Sequence, residues 1–327
     1  MKNMHIFIIG ALFLFIVGAC SKESYPAIED KGSLAISVNI KDMTVSFINI
    51  EAGKKIAQWE MKKPYIGGVL LSDKDTLLLF GKQTEYADLF SLSEGEKIGS
   101  WKTGHGIVSG LLLENRKEVA FADQSTNSIR FFSESGTEIG SVRTENAPLT
   151  LLSDQNSSRL YVISYQSNSL SIIDINKMEM ASNYQIHPSA TGGLLLEEEG
   201  EIWIGGHGEG ARLETNIHVY DADTGELAKK IHAPSMPISF AVKGENVFSL
   251  SHGSNMLYKF SRSGELIDSI KIAANPFEIK CFDGKLFVAG YDSDDVHIVH
   301  PDTLETAAKI QVGKGPFQLI FRERLPK

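Results

Sequence analysis

Nine histidines are spread along the 327 residues, and five of them stand within two residues of glycine, proline or serine in turn-like stretches: His105, His187, His207, His232 and His252. An imidazole held in that setting suits two kinds of chemistry. It can move a proton near neutral pH, and it can ligate Zn, Cu, Fe or Ni. Tyr165 and Tyr291 occupy related settings, in "SYQSN" and "GYDSD". A second set is polar and regularly placed. Glu278 and Gln318 each lie two residues after a proline, in "NPFE" and "GPFQ", with Ser239 and Thr150 in the same column. The segment "GGHGEGARLETN" (205–216) is glycine-rich and offers Arg212 and Glu214 as contacts. A nucleotide fingerprint must lead from a strand into a helix, and strands flank this segment on both sides. "DSDD" (292–295) lacks the Gly and the distal Glu of an EF-hand loop and reads as a turn. No H-E-x-x-H, paired C-x-x-C or G-x-S-x-G motif is present, so no known catalytic constellation is spelled out along the chain.

Which elements could bring such scattered residues together? The segment "RLYVISYQSNSLSIIDINKMEMASNYQI" (159–186) returns as "KLFVAGYDSDDVHIVHPDTLETAAKIQV" (285–312). Both run apolar strand, polar turn, alternating strand, polar turn, strand. Counterparts begin near residues 34, 77, 119, 202 and 247, giving seven copies about 42 residues apart. Connecting phrases repeat as well: "APLTLLS", "MPISFAV", "NPFEIKC" and "GPFQLIF". Period-2 alternation, as in Ser171 to Ile175, marks strands, and helical 3.6-residue spacing is scarce. Four strands repeated seven times predict an all-β, seven-bladed β-propeller over residues 33–327. With strands a to d counted outward from the axis, the sequence repeat is b-c-d-a. The N-terminal strands b, c and d then pair with a C-terminal strand a, "GPFQLIF" (315–321), which closes the ring and leaves no open sheet edge there.

That topology sorts the candidates. Loops d–a and b–c share one end of the ring, and loops a–b and c–d share the other. The latter are plain hairpin turns such as "SEGEK", "DTGEL" and "RSGEL". At the ends of strand b stand Gln83, Gln124, Tyr165, His207, His252 and Tyr291, while the d–a connectors add His105, His187 and His232. A polar-aromatic face around a channel mouth is where a ligand site is expected. Four histidines belong to two neighbouring blades: His187 and His207 to the fifth, His232 and His252 to the sixth. Residues 205–216 are expected to protrude over the channel. Glu278 and Gln318 are expected to line it.

Repeats such as "LYVISYQSNSLSIIDI" and "LFVAGYDSDDVHIVHPDTLETAAKIQVGKGPFQL" resemble the YVTN-type repeats of bacterial and archaeal surface propellers. The likeness lies in repeat length, in the "GxxP"-type connector and in the aromatic-Val pattern of strand b. It covers residues 33–321 and departs from the pattern at Gly67 and Ser109, which replace the connector proline. The resemblance implies an exported seven-bladed propeller and leaves the activity open, since members are functionally diverse.

The N-terminus supports export. "IFIIGALFLFIV" (6–17) is too short to span a bilayer and suits the core of a signal peptide. It runs into Val17-Gly18-Ala19-Cys20, which resembles the bacterial lipoprotein signal, in which the cysteine is lipidated. The expected organisation is a signal peptide at 1–19, a lipidated Cys20 with a polar tether to residue 32, and the propeller. Cys281 would then be the lone thiol, in an apolar strand, with no disulfide available. A net charge of −9 without a basic run argues against nucleic-acid binding. Two functional readings follow. The first is a binding module, lipid-anchored on the outer leaflet of the cell membrane or on an outer membrane, that presents its loop face to an envelope protein, glycan or small ligand. The second is a metal- or cofactor-dependent enzyme, hydrolytic and lactonase-like or an oxidoreductase, using the His-rich mouth; no particular cofactor is indicated.

Overall fold

The computed structural model describes residues 23–326, so the leader and Cys20 lie outside the described residues. Seven antiparallel four-stranded sheets form the ring. Their b strands start at residues 34, 76, 118, 159, 201, 246 and 285, within one residue of the starts read from the repeats. The reason is visible in the burial. Strands b and c are covered on both faces by neighbouring blades, as in Leu34–Asn39, where every residue is buried. Outer d strands, such as Thr306–Gln311, bury one residue and expose most of the rest. Apolar side chains on the inner strands interlock between adjacent blades into successive clusters. Trp59, Phe47 and Phe90 pack where blade 1 meets blade 2, and Phe287, Ile48 and Leu319 where blade 7 meets blade 1.

Ring closure follows the expected b-c-d-a pattern. Strand a of blade 1 is Pro316–Arg322, and it pairs antiparallel with Leu34–Asn39. Arg322 is buried at this seam and donates to the carbonyls of Asp30 and Gly32, which ties the start of the ring to its end. The stretch expected as a free polar tether is docked from Ser24 onward. Tyr25 stacks on Trp59 with ring centroids 5.0 Å apart, and the Ile28 amide donates to the Leu92 carbonyl at 2.8 Å. Apolar Tyr25 and Ile28 within an otherwise polar stretch explain why it binds the ring instead of standing off it. Cys281 is only half-buried, because strand a of blade 7 (Pro276–Phe282) exposes part of its length.

One local irregularity shapes the channel. In six blades the a–b pairing skips one residue immediately after strand a begins. The skipped residues are Phe317, Val108, Leu149, Thr191, Ile238 and Phe277. A β-bulge re-aims the side chain it displaces, and all six line the central cavity. Repeating one bulge around the ring therefore builds a mainly apolar collar from strands that otherwise obey strict alternation.

Candidate functional site

The central cavity holds about 750 Å³ and is walled by the a strands of all seven blades. At its mouth Phe277 and Phe317 stack with centroids 4.5 Å apart, and His252 meets the Phe277 edge at 6.3 Å. Tyr165 and His207 also line the cavity. Tyr291 lies against Phe277 at 5.9 Å, and the Lys41 ammonium sits 4.1 Å from the Tyr291 ring centre. The phenylalanines were missed as functional residues, although both follow the connector proline in the repeated phrases "NPF" and "GPF". That position turns them inward at the bulge.

The histidines regroup. His207 of blade 5 and His252 of blade 6 meet across the blade boundary with centroids 5.0 Å apart and rings at 78°. His207 Nδ1 is buried and makes no hydrogen bond, and the buried nitrogens of His252 have the Asn275 side chain as their polar neighbour. Burial pushes His207 below the usual imidazole range, with His252 adding to the effect. His252 is lowered by burial against an opposing pull from the Asn275 side chain. Both rings are therefore neutral at pH 7, each offering one donor and one acceptor nitrogen.

His187 turns away from the channel and stacks on His218, centroids 3.9 Å apart, beside Tyr220. The cause is local: the His187 amide donates to the Tyr220 hydroxyl at 2.9 Å, which sets the direction of the connector. His218 lies in strand c of blade 5 (Asn216–Asp221) and was not among the residues singled out in the sequence. A histidine inside the apolar "IHVY" run looks like a core position, and its loop neighbours are the only hint. The 205–216 segment forms a small hairpin, Gly208–Glu209 with Arg212–Leu213. Arg212 is exposed, whereas Glu214 folds under the hairpin to His218, with Oε2 to Nε2 at 3.1 Å. The hairpin thus places Glu214 beside strand c rather than over the channel. His105 and His232 are exposed on the rim and join neither pair.

The polar column of strand a does more than line water. Ser239 Oγ accepts from the Ile279 amide at 3.1 Å, and Glu278 Oε2 accepts from the Leu319 amide. Gln318 Oε1 accepts from the Gly68 amide at 2.7 Å, and Thr150 Oγ1 donates to the Thr191 carbonyl. Each bond joins one blade to the next, so Glu278 and Gln318 act as inter-blade ties as well as wall residues. Burial raises the Glu278 carboxyl above its usual range, against the pull of Lys280 and the Leu319 amide. In "DSDD" the carboxylates are held within the protein: Asp292 by Lys41 at 2.7 Å, Asp294 by the Gly315 amide at 2.8 Å, and Asp295 by Ser293 at 2.7 Å. The turn reading accounts for that segment.

No family model matches the chain, and no curated protein does. Among solved structures the fold is widely shared. Kuenenia stuttgartiensis hydrazine synthase aligns with a TM-score of 0.70 at 12% identity, over 86% of this chain and 98% of that one. AztD from Citrobacter koseri aligns at 0.60 and 12%, over 88% and 97%. The dihydro-heme d1 dehydrogenase NirN, solved in complex with DHE, aligns at 0.63 and 9%, over 90% and 76%. At these identities the likeness defines a class, the seven-bladed β-propeller, and nothing narrower.

Proposed function

We propose that this protein is an exported, lipid-anchored propeller of the YVTN type that binds a small ligand at the channel mouth. One observation carries the binding role: the buried, unpaired Nδ1 of His207, with the His252 ring against it, stands at the opening of an apolar cavity of about 750 Å³. A buried polar atom left unpaired costs about 1–3 kcal/mol, so a ligand that pairs with His207 Nδ1 recovers that loss on binding. The ligand chemistry follows from the wall. An aromatic or other flat apolar body fits against Phe277 and Phe317, and a hydrogen-bonding group fits at His207 and His252. The fold has carried a bound small molecule elsewhere, since NirN was solved with DHE. Anchoring rests on the sequence at Val17–Cys20.

Two experiments test these parts separately. Native mass spectrometry of the full chain, purified from envelope membranes in mild detergent, should show a non-covalent small molecule at about one per chain. Its occupancy should fall in His252→Ala and Phe277→Ala; equal occupancy in wild type and both variants would place the ligand elsewhere. Radiolabelled palmitate should label the wild-type chain and not Cys20→Ala. Equal labelling of both would remove the lipid anchor.

A further inference from the structure

We propose that His187, His218 and Glu214 form a binding site for a divalent ion of the zinc class in blade 5, distinct from the channel mouth. Each residue offers a ligand atom, and these atoms lie within 4.8 Å of one another. Zinc bonds to imidazole nitrogen and carboxylate oxygen are about 2.0–2.2 Å long, which makes the edge of a tetrahedral ligand set about 3.3 Å. The His218 Nε2 to Glu214 Oε2 separation of 3.1 Å is already close to that edge.

The surroundings hold the donors as metal ligands are commonly held. The other Glu214 oxygen, Oε1, accepts from the amides of Thr215 and Asn216 at 2.9 Å each, so Oε2 is left facing His218. His187 Nδ1 lies 3.2 Å from the Tyr220 hydroxyl, while Nε2 is buried without a hydrogen bond in a residue only 8% exposed. A ligating histidine characteristically spends its second nitrogen on such an outer partner. Burial, aided by His218, lowers His187 to about 3, against small opposing pulls from Glu214 and the Gly205 carbonyl. Burial also lowers His218 against the pull of Glu214. Neutral imidazole is the form that binds metal. Exposed Lys230 acts on both rings, and Glu214 balances it.

Binding a single ion requires a rearrangement. Stacked rings 14° from parallel direct their lone pairs side by side, so one ring must rotate out of the stack for both to meet a single ion. Two histidines and one carboxylate leave a fourth position open, for water or an external ligand. The Glu214 amide also donates to the His207 carbonyl at 3.1 Å, so the hairpin that carries the site adjoins the channel mouth.

The test is calorimetric titration of the detergent-solubilised full chain, stripped with chelator, with ZnCl₂. The expected result is one equivalent bound. His218→Ala and Glu214→Gln should each weaken binding by about tenfold or more, and Tyr220→Phe by about tenfold through the His187 ring. His207→Ala and His252→Ala should leave the affinity within about twofold, since they lie outside the triad. If His218→Ala fails to fold, judged by circular dichroism of the stripped variant, His218→Gln and Glu214→Gln carry the comparison. Absence of saturable zinc binding would overturn the proposal, as would binding that survives the triad variants or is lost in the His207 and His252 variants instead. The channel-mouth reading uses other residues and stands or falls by its own ligand.

Discussion

Deleting residues 313–327 removes strand a of blade 1 and should abolish the stable monomeric ring. The strand makes six residue pairs with Leu34–Asn39. Its two core side chains point into different clusters: Leu319, 3% exposed, into the blade 7–blade 1 core, and Ile320, 8% exposed, into the blade 1–blade 2 core. Burying each contributes about 1.5–3 kcal/mol. The lost cross-strand hydrogen bonds add about 0.5–1.5 kcal/mol each. With about six such bonds across the six pairs, the total of about 6–15 kcal/mol is comparable to the whole stability of a typical domain, about 5–15 kcal/mol. The deletion also exposes the edge of Leu34–Asn39, which invites pairing between chains. Far-UV circular dichroism melting and sedimentation should show a chain that is unfolded or associated at 25 °C. A synthetic peptide of residues 313–327 added in trans should restore a cooperative melt. A truncated chain that stays monomeric and melts within a few degrees of the full chain would refute the reasoning about closure.

Two stability predictions concern buried charge. Asp88 is fully buried and accepts from Lys63 and Tyr65 at 2.5 Å, Ser100 at 2.6 Å and Lys97 at 2.8 Å. Burial raises its carboxyl, but these four partners win and hold it at about 2. Its depressed value contributes about 2 kcal/mol that is fully present above pH 4 and lost as pH falls toward 2. Asp88→Asn should cost about 3 kcal/mol in urea titrations at pH 7 and flatten that acid limb. His187 acts in a higher window. Its value of about 3 means the unfolded chain takes up a proton below pH 6.5 that the folded chain refuses. Stability should therefore fall by about 2 kcal/mol between pH 6.5 and 5 from this residue alone, and His187→Gln should remove that part of the slope.

The ring was legible because seven similar units report the same alternation, and an error in one copy is corrected by the others. Closure was legible for a related reason: "GPFQLIF" matches the strand-a phrase of three other blades. The site was only half legible. Loop assignment put His187, His207 and His252 on one end of the ring. It could not show that a hydrogen bond to Tyr220 swings His187 outward, or that His207 and His252 meet across a blade boundary. His218 was hidden by its strand, since an imidazole within alternating apolar residues gives no outward sign of the glutamate beneath a neighbouring hairpin. The column Thr150, Ser239, Glu278 and Gln318 was visible as a column. Its bonds to the next blade's backbone depend on inter-blade spacing, which no single repeat encodes. Phe277 and Phe317 reach the mouth through a bulge, and strict period-2 counting assigns a bulged residue to the wrong face.

The most direct test of the channel-mouth site is a fluorescence titration of the full chain in detergent with an anilinonaphthalene sulfonate dye, whose flat apolar body and hydrogen-bond-accepting sulfonate match the mouth. Saturable binding at about one per chain, weakened at least about fivefold in both His252→Ala and Phe277→Ala and unchanged in His105→Ala, is the expected result. Binding that fails to saturate, or that is equally strong in all three variants, would contradict a ligand site built from His207, His252 and the phenylalanine pair.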